Sequence, residues 1–207
     1  AISQLARLYA ERGDMETAQK WALKSVPIFD SSEIISALID DGDDLLSDVA
    51  FCTYWFLEEL FYMAARIDND GSIKLGNAYK QRCFEVVAKI FETVYQNDDM
   101  GFEQLQHLYN LYQGIAEHEA KGEKNENVIR RCLERAMECC EKSASVKNHT
   151  LKHPMLYGWT VGDALSDNMM NLKMMKETLE ENAYDDFRSC EWYQKLENRL
   201  SIMLQAK

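Results

Sequence analysis

The stretch VAFCTYWFLEELFYMAARI, from Val49 to Ile67, carries only three charged side chains in nineteen residues. A transmembrane helix needs about 20 mostly apolar residues, and here Glu58 and Glu59 would lie near the middle of the bilayer. Each carboxylate would then cost roughly 2.5–3.5 kcal/mol on insertion scales. The stretch therefore predicts a helix buried in protein, in the central layer of a stack of helices.

The composition of the 207 residues predicts a single all-α domain. Glycine and proline are scarce, at nine and two residues, whereas good helix formers are abundant. The net charge of −12 argues against direct nucleic-acid binding, because phosphates require a basic face. Most of the six cysteines lie in apolar helical runs, which is typical of reduced thiols in a cytoplasmic protein.

Hydrophobic periodicity divides the domain into three parts. Residues 1–40 are predicted to form a helical hairpin and a short helix, 44–145 the long central helices, and 168–207 the C-terminal helices. A loop with at most a short ordered segment is predicted at 145–167, where proline and glycine interrupt the pattern. The helices of the central and C-terminal parts are predicted at about 44–67, 75–96, 102–121, 126–145, 168–181 and 190–204.

Particular residues mark the helix ends of the predicted hairpin. Gly13 is predicted to end a helix over 2–11, and Asp14 to cap the next helix over 15–25, which stops before Pro27. A short helix over 31–39 follows, and the acidic residues of DDGDD then precede the long helix.

Two apolar stripes run along the long helix that contains the opening stretch, and both are expected to face inward. The first consists of Leu46, Val49, Phe56, Leu60, Met63 and Ile67, and the second of Leu57, Phe61 and Ala64.

The order Leu5-Ala6, Tyr9, Gly13-Asp14, Ala18, Ala22 resembles a tetratricopeptide repeat, in which small residues allow two helices to approach closely. Over a longer range, LARLYAERGDMETAQKWALKSVPIFDSSEIISALIDDGDD (5–44) and YDDFRSCEWYQKLENRL (184–200) resemble the C-terminal sensor region of bacterial Xre-type helix-turn-helix transcription regulators. The resemblance implies a right-handed superhelical stack of antiparallel helical hairpins. It also implies that DNA is contacted by an N-terminal helix-turn-helix that these residues do not include.

In that family such a region binds a protein, a peptide or another small ligand, or associates with itself. The resemblance therefore implies a protein or peptide partner and a possible homodimer, without assigning ligand residues. A stand-alone scaffold for protein–protein interaction is the alternative, and an enzyme with an unrecognised site is the remote one. We find no Gly-rich phosphate loop, GxSxG elbow or supported Cys-His dyad in the sequence, so we expect no enzymatic activity and no cofactor.

The candidate ligand groove lies on the aromatic helix, because aromatic rings with polar tips suit an extended peptide. Plain core packing is the competing interpretation of these residues. Glu58 and Glu59 could also serve acid/base chemistry, but adjacent helical residues point about 100° apart, which makes proton sharing difficult. The groove residues are Tyr54, Trp55, Glu58, Glu59, Tyr62 and Arg66.

A methionine-rich helix supplies a second candidate contact. Met169, Met170 and Met174, with Met175, could dock a second subunit or a peptide, since methionine adapts to irregular partners. Core filling is the alternative interpretation of the same residues.

Two patterns that suggest metal binding are weak. His149 and His153 follow Cys139-Cys140, but the CxxC and HExxH spacings are missing and ordinary loop contacts are favoured. The DNDGS turn, residues 68–72, does not match a calcium loop, because Arg66 would occupy the first ligand position. The sequence therefore predicts no metal site.

Overall fold

The computed structural model of the chain describes residues 8–9, 12–14, 17–18, 20, 43–69, 76–96, 99–156, 158–162 and 169–205. Of residues 43–49, 51–52 and 67–69 it describes the backbone but not the side chains. The predicted short helix over 31–39 and most of the predicted N-terminal hairpin lie outside these ranges, as does most of the DNDGS turn.

The described chain is mostly helical, which confirms the all-α class. Six α-helices make up most of the described residues, and we number them in chain order. They are α1 (Asp43–Asn69), α2 (Asn77–Val94), α3 (Phe102–Lys121), α4 (Glu126–Ser143), α5 (Met170–Glu180) and α6 (Glu191–Gln205). Two short 3₁₀ helices are also present. Pro154–Leu156 lies in the predicted loop, for which at most a short ordered segment was expected, and Asn182–Phe187 was not predicted.

The connection between α3 and α4 shows how local chemistry sets these bounds. Gly122 follows the last residue of α3, and Lys124 takes a positive φ of 57°. The Asn125 side chain accepts a hydrogen bond from the Asn127 N–H at 3.2 Å and so caps α4. Because only four residues join them, α3 and α4 pack as antiparallel neighbours.

The predicted helix end at Gly13 and the predicted cap at Asp14 are confirmed. Gly13 has φ +80°, and the Asp14 N–H donates to the Tyr9 carbonyl at 3.0 Å, as in a Schellman helix end. The Asp14 side chain accepts from the Thr17 N–H at 3.0 Å, which caps the helical residues that follow.

The predicted loop over 145–167 contains a small two-stranded ribbon. Strands β1 (His149–Thr150) and β2 (Thr160–Val161) pair antiparallel and bracket the first 3₁₀ helix. The ribbon abuts the start of α3: a Cβ atom added to Gly101 would lie 2.6 Å from the Val161 Cβ. Only glycine fits this approach, so the ribbon holds the N-terminal end of α3.

The core is continuous and lies along α3 and α4, which are packed by α2 on one side and by α5 and α6 on the other. Its fully buried side chains include Phe91, Leu108, Leu111, Ile129, Leu133, Met137, Leu172, Met175, Tyr184 and Tyr193.

The orientation predicted for the aromatic helix is only half right. The stripe of Leu57, Phe61 and Ala64 is buried, but Phe56 and Met63 of the other stripe are 44% and 51% exposed. The helix α1 therefore lies at the edge of the described bundle with one side open to solvent. A run with so few polar residues gave no polar face by which to orient the helix.

Five cysteines are free thiols, as expected, namely Cys83, Cys132, Cys139, Cys140 and Cys190. Within the described ranges, none of the helices combines the length and apolarity needed to cross a bilayer.

Candidate functional site

The six predicted groove residues divide between two sides of α1. Trp55, Glu59, Tyr62 and Arg66 lie on the solvent side, whereas Glu58 is buried and Tyr54 is half-buried. A helical turn of 100° per residue explains the division, because positions 55, 59, 62 and 66 fall within about 60° of one another. The structure therefore does not bring all six into one groove.

The solvent side, which we call the outer face, consists of Trp55, Phe56, Glu59, Tyr62, Met63 and Arg66. Its four large apolar side chains are between 44% and 52% exposed. They span an arc of about 120° on one helix, so they form one surface and not scattered residues.

The inner side of α1 meets α3 through a buried acid–imidazole pair. The Glu58 Oε2 atom lies 2.7 Å from the His107 Nε2 atom, and both side chains are less than a tenth exposed. The Phe61 ring stacks on the imidazole with centroids 4.0 Å apart and an interplanar angle of 18°. The imidazole is thus held by a carboxylate at its edge and by an aromatic ring on its face.

A second polar contact between the same two helices lies one turn away. The Tyr54 hydroxyl donates to the Glu103 carboxylate at 2.9 Å. The Tyr54 ring stacks on Trp159 of the ribbon, with centroids 4.9 Å apart. Glu103 and His107 are themselves one turn apart on α3, so the two contacts lie side by side.

Glu58, Glu103 and His107 form a compact group that we call the polar cluster. One potential ligand atom from each residue lies within 4.8 Å of the other two. Glu58 and His107 are buried, and Glu103 is exposed, so the group extends from the core to the surface.

Two buried oxygen atoms near the polar cluster lack partners. Among the described residues, neither Glu58 Oε1 nor the Tyr95 hydroxyl has a hydrogen-bond partner. The Tyr95 side chain is 2% exposed, and the negative charges of Glu58 and Glu103 act on its ionisation. Unpaired buried polar atoms are rare because each costs about 1–3 kcal/mol, so the arrangement requires an explanation.

The phenols beside the polar cluster are held in their protonated form. Burial raises the pKa of Tyr54 well above its usual range, and its hydrogen bond to Glu103 adds to the effect. Burial likewise raises the pKa of Tyr95, with the Glu58 charge second, and the pKa of Tyr62 rises for the same two reasons. These hydroxyls are therefore donors, or neutral oxygen ligands, at any physiological pH.

Sequence reasoning missed Glu103, His107 and Tyr95. Glu103 and His107 lie on α3 and Tyr95 directly follows α2, so all three are at least 37 positions away from Glu58 in the chain, and each is ordinary in its local sequence. The i,i+4 spacing of Glu103 and His107 was the one available signal, since it places a carboxylate and an imidazole on one face.

The methionine residues divide in a similar way. Met175 is completely buried, Met174 is partly buried against the core, and Met170 is 44% exposed. Met169 is also partly buried. Gln106 of α3 directs its amide toward the sulfur atoms of Met170 and Met174, at 3.9 and 3.8 Å. Core filling thus accounts for Met175 and most of Met174, and a partner contact by Met170 stays a prediction.

The two loop histidines make ordinary loop contacts. The His149 Nε2 atom lies 3.0 Å from the Asp99 carboxylate. The His153 Nδ1 atom accepts from the Met155 N–H at 3.2 Å.

The chain was compared with protein-family models, with curated proteins and with solved structures, and none of the three comparisons found a match.

Proposed function

We propose that the chain is a regulatory protein-binding domain whose outer face on α1 holds an amphipathic, basic segment of a partner protein. In the setting that the Xre-type resemblance implies, it is the sensor domain of a cytoplasmic bacterial transcription regulator. DNA is then bound by a helix-turn-helix domain outside these residues.

The exposure of the outer face is the observation that supports this proposal. About half of each large side chain on this face is exposed to water, namely Trp55, Phe56, Tyr62 and Met63. Burying apolar surface yields about 25 cal/mol per Å², so a partner that covers this face gains several kcal/mol. Tryptophan and tyrosine are also the residues that most often dominate the energy of interfaces.

The charge of the chain favours a basic protein partner. With a net charge of −12, the molecule attracts cationic partners at long range, and Glu59 lies within the outer face. The same charge repels an anionic membrane surface and a second copy of the chain. A basic segment with apolar side chains at helical spacing satisfies both the charge and the aromatic surface.

A tetratricopeptide-like right-handed stack is the arrangement that we propose for the helices. The antiparallel pairing of α3 with α4 through a short connection supports it, as does the Gly13-Asp14 helix end. In such a stack, a partner that fits one curvature better than another shifts the population of conformations. That shift would alter how attached DNA-binding domains are presented.

The direct test uses a synthetic probe. A fluorescent basic amphipathic peptide, with leucine at helical spacing and lysine elsewhere, is titrated with the chain and followed by anisotropy. We expect saturable binding that Trp55→Ala weakens by about 30-fold, since an aromatic hot spot contributes about 2 kcal/mol. Glu59→Lys should weaken binding most strongly at low salt.

Ile202→Ala is the matched control, because Ile202 is an apolar residue that is 68% exposed on α6, a helix that does not contribute to the outer face. Its binding should equal that of the unchanged chain. The proposal fails if an acidic version of the peptide, with glutamate in place of lysine, binds equally well. It also fails if Trp55→Ala and Ile202→Ala bind the basic peptide with the same affinity.

The regulator setting has its own test. The gene should encode a small basic helix-turn-helix upstream of residue 1, and fusion of the two parts should give DNA binding that responds to the peptide. A gene with no such segment, combined with peptide binding by the outer face, would support the stand-alone scaffold instead.

A further inference from the structure

The polar cluster has a set of donor atoms that suits a cation. It offers two carboxylates and one imidazole, which are the ligands of mixed N/O sites for divalent first-row metals. In such sites, neighbouring donor atoms lie about 3.0–3.4 Å apart, given metal–ligand distances of about 2.0–2.2 Å. The Glu58 and His107 atoms are 2.7 Å apart, and all three donor atoms lie within 4.8 Å of one another.

The missing hydrogen bonds are an independent sign that a ligand belongs here. Tyr95 is only 2% exposed, and its hydroxyl has no hydrogen-bond partner among the described residues. It comes from the end of α2 and not from either helix that supplies the cluster, and the Phe91 ring lies against both the Tyr95 ring and the His107 imidazole. Glu58 Oε1, equally unpaired, belongs to a residue that is 3% exposed. A bound ion and its coordinated water would satisfy both atoms.

The charges of the cluster favour the same conclusion. Two carboxylates close together, one of them buried, are costly without a compensating positive charge. A divalent ion neutralises both, with the imidazole as a neutral ligand.

The surroundings complete the requirements for a site. Tyr54 donates to Glu103 and so orients it from outside, as outer-shell hydrogen bonds do in metal sites. The stacked Phe61 ring fixes the plane of the His107 imidazole. Glu103 is exposed and its side chain can rotate, which supplies an entry path and the movement needed to close the remaining gap.

We propose that Glu58, Glu103 and His107 bind one divalent transition-metal ion, such as Zn²⁺, Mn²⁺ or Fe²⁺, between α1 and α3. Among the ions of this class, the site discriminates against Cu⁺, which prefers thiolate and thioether ligands. The ion joins the two helices beside the outer face, since the Tyr62 ring lies edge-on to the His107 imidazole with centroids 5.9 Å apart.

The test is a titration with Co²⁺, which reports its ligands through its visible absorption. The full chain is stripped with EDTA, exchanged into buffer with a non-coordinating phosphine reductant, and titrated by absorption and calorimetry. We expect one ion per chain, nitrogen/oxygen-type bands without thiolate charge-transfer absorption, and a higher melting temperature with Co²⁺ than without.

The variants assign the ligands. Glu103→Gln should weaken binding by more than about 100-fold, which exceeds the 10–100-fold loss of an outer-shell change, and should abolish the Co²⁺-dependent rise in melting temperature. Tyr54→Phe, which only removes the outer hydrogen bond, should weaken binding by about 10-fold. His149→Gln removes a histidine that pairs with Asp99 at the ribbon and should bind as the unchanged chain does.

Glu103 is exposed, so we expect Glu103→Gln to fold. Its melting temperature in EDTA checks this directly. The proposal is overturned if Co²⁺ fails to saturate at one ion per chain, or if thiolate bands assign the ion to the cysteines. Equal affinity of folded Glu103→Gln and the unchanged chain would overturn it as well. None of these results depends on peptide binding by the outer face.

Discussion

Replacing His107 with leucine would leave the Glu58 carboxylate buried without its partner. Both side chains are less than a tenth exposed, so water cannot replace the lost contact. Breaking a buried pair in this way costs about 3–5 kcal/mol, because the remaining charge keeps its full desolvation penalty. For a chain of 207 residues, each kcal/mol lowers the melting temperature by about 2–4 °C, which gives a decrease of about 6–20 °C.

The double variant Glu58→Leu with His107→Leu makes this reasoning sharper. It removes the charge together with its partner, so the main loss is the ring contact of the imidazole, chiefly its stacking on Phe61, a contribution of about 0.5–1.5 kcal/mol. The double variant should therefore be more stable than His107→Leu alone, by about 2 kcal/mol or more.

The measurement is urea unfolding of the four chains in EDTA, followed by circular dichroism, so that bound metal does not contribute. A cycle in which the two substitutions add without coupling would refute the reasoning. The same would follow if His107→Leu cost less than about 1 kcal/mol, the scale of an ordinary surface change.

Three further outcomes follow from the structure. Gly101→Ala should destabilise the chain by about 1–3 kcal/mol in urea unfolding, because the new Cβ would lie 2.6 Å from the Val161 Cβ. Tyr109→Phe should cost about 1–3 kcal/mol by the same assay, since it leaves the Thr178 hydroxyl without the partner that it has at 2.8 Å. Burial raises the pKa of the Cys132 thiol to about 11 from an ordinary 9.0. Because the pKa is higher in the folded than in the unfolded chain, the thiol's contribution to stability is complete below about pH 9 and is lost as the pH rises toward about 11. The free energy of unfolding of the unchanged chain, measured in urea, should therefore fall relative to that of Cys132→Ala over this interval.

The sequence was informative where local chemistry determines the structure. The bounds of α3, Phe102–Lys121, follow from Gly101 and Gly122, which flank an apolar period, and prediction and structure agree there. The ribbon over 149–161 was not predictable in the same way. Its strands have two residues each, too few to show an alternating pattern, and contact with α3 stabilises them.

The candidate site was predictable only in part. Tyr54 and Glu58 were identified as a polar-aromatic feature of α1, but their partners Glu103 and His107 lie 49 residues further along the chain. Only the packing of α1 on α3 reveals that pairing. The near-continuous apolar run also concealed which side of α1 faces water, so Phe56 and Met63 were assigned to the core.

The two contacts between α1 and α3 run in the same direction, Tyr54 with Glu103 and Glu58 with His107, which restricts how one helix can slide along the other. A shift of one turn, about 5.4 Å, would set the Glu58 carboxylate either beside the like charge of Glu103 or against the fully buried Leu111. Both alternatives are unfavourable, so a single buried acid selects one alignment of the helix pair, much as one polar residue selects the alignment of a coiled coil. An apolar residue at position 58 would still pack α1 against α3, but it would allow more than one alignment of the two helices.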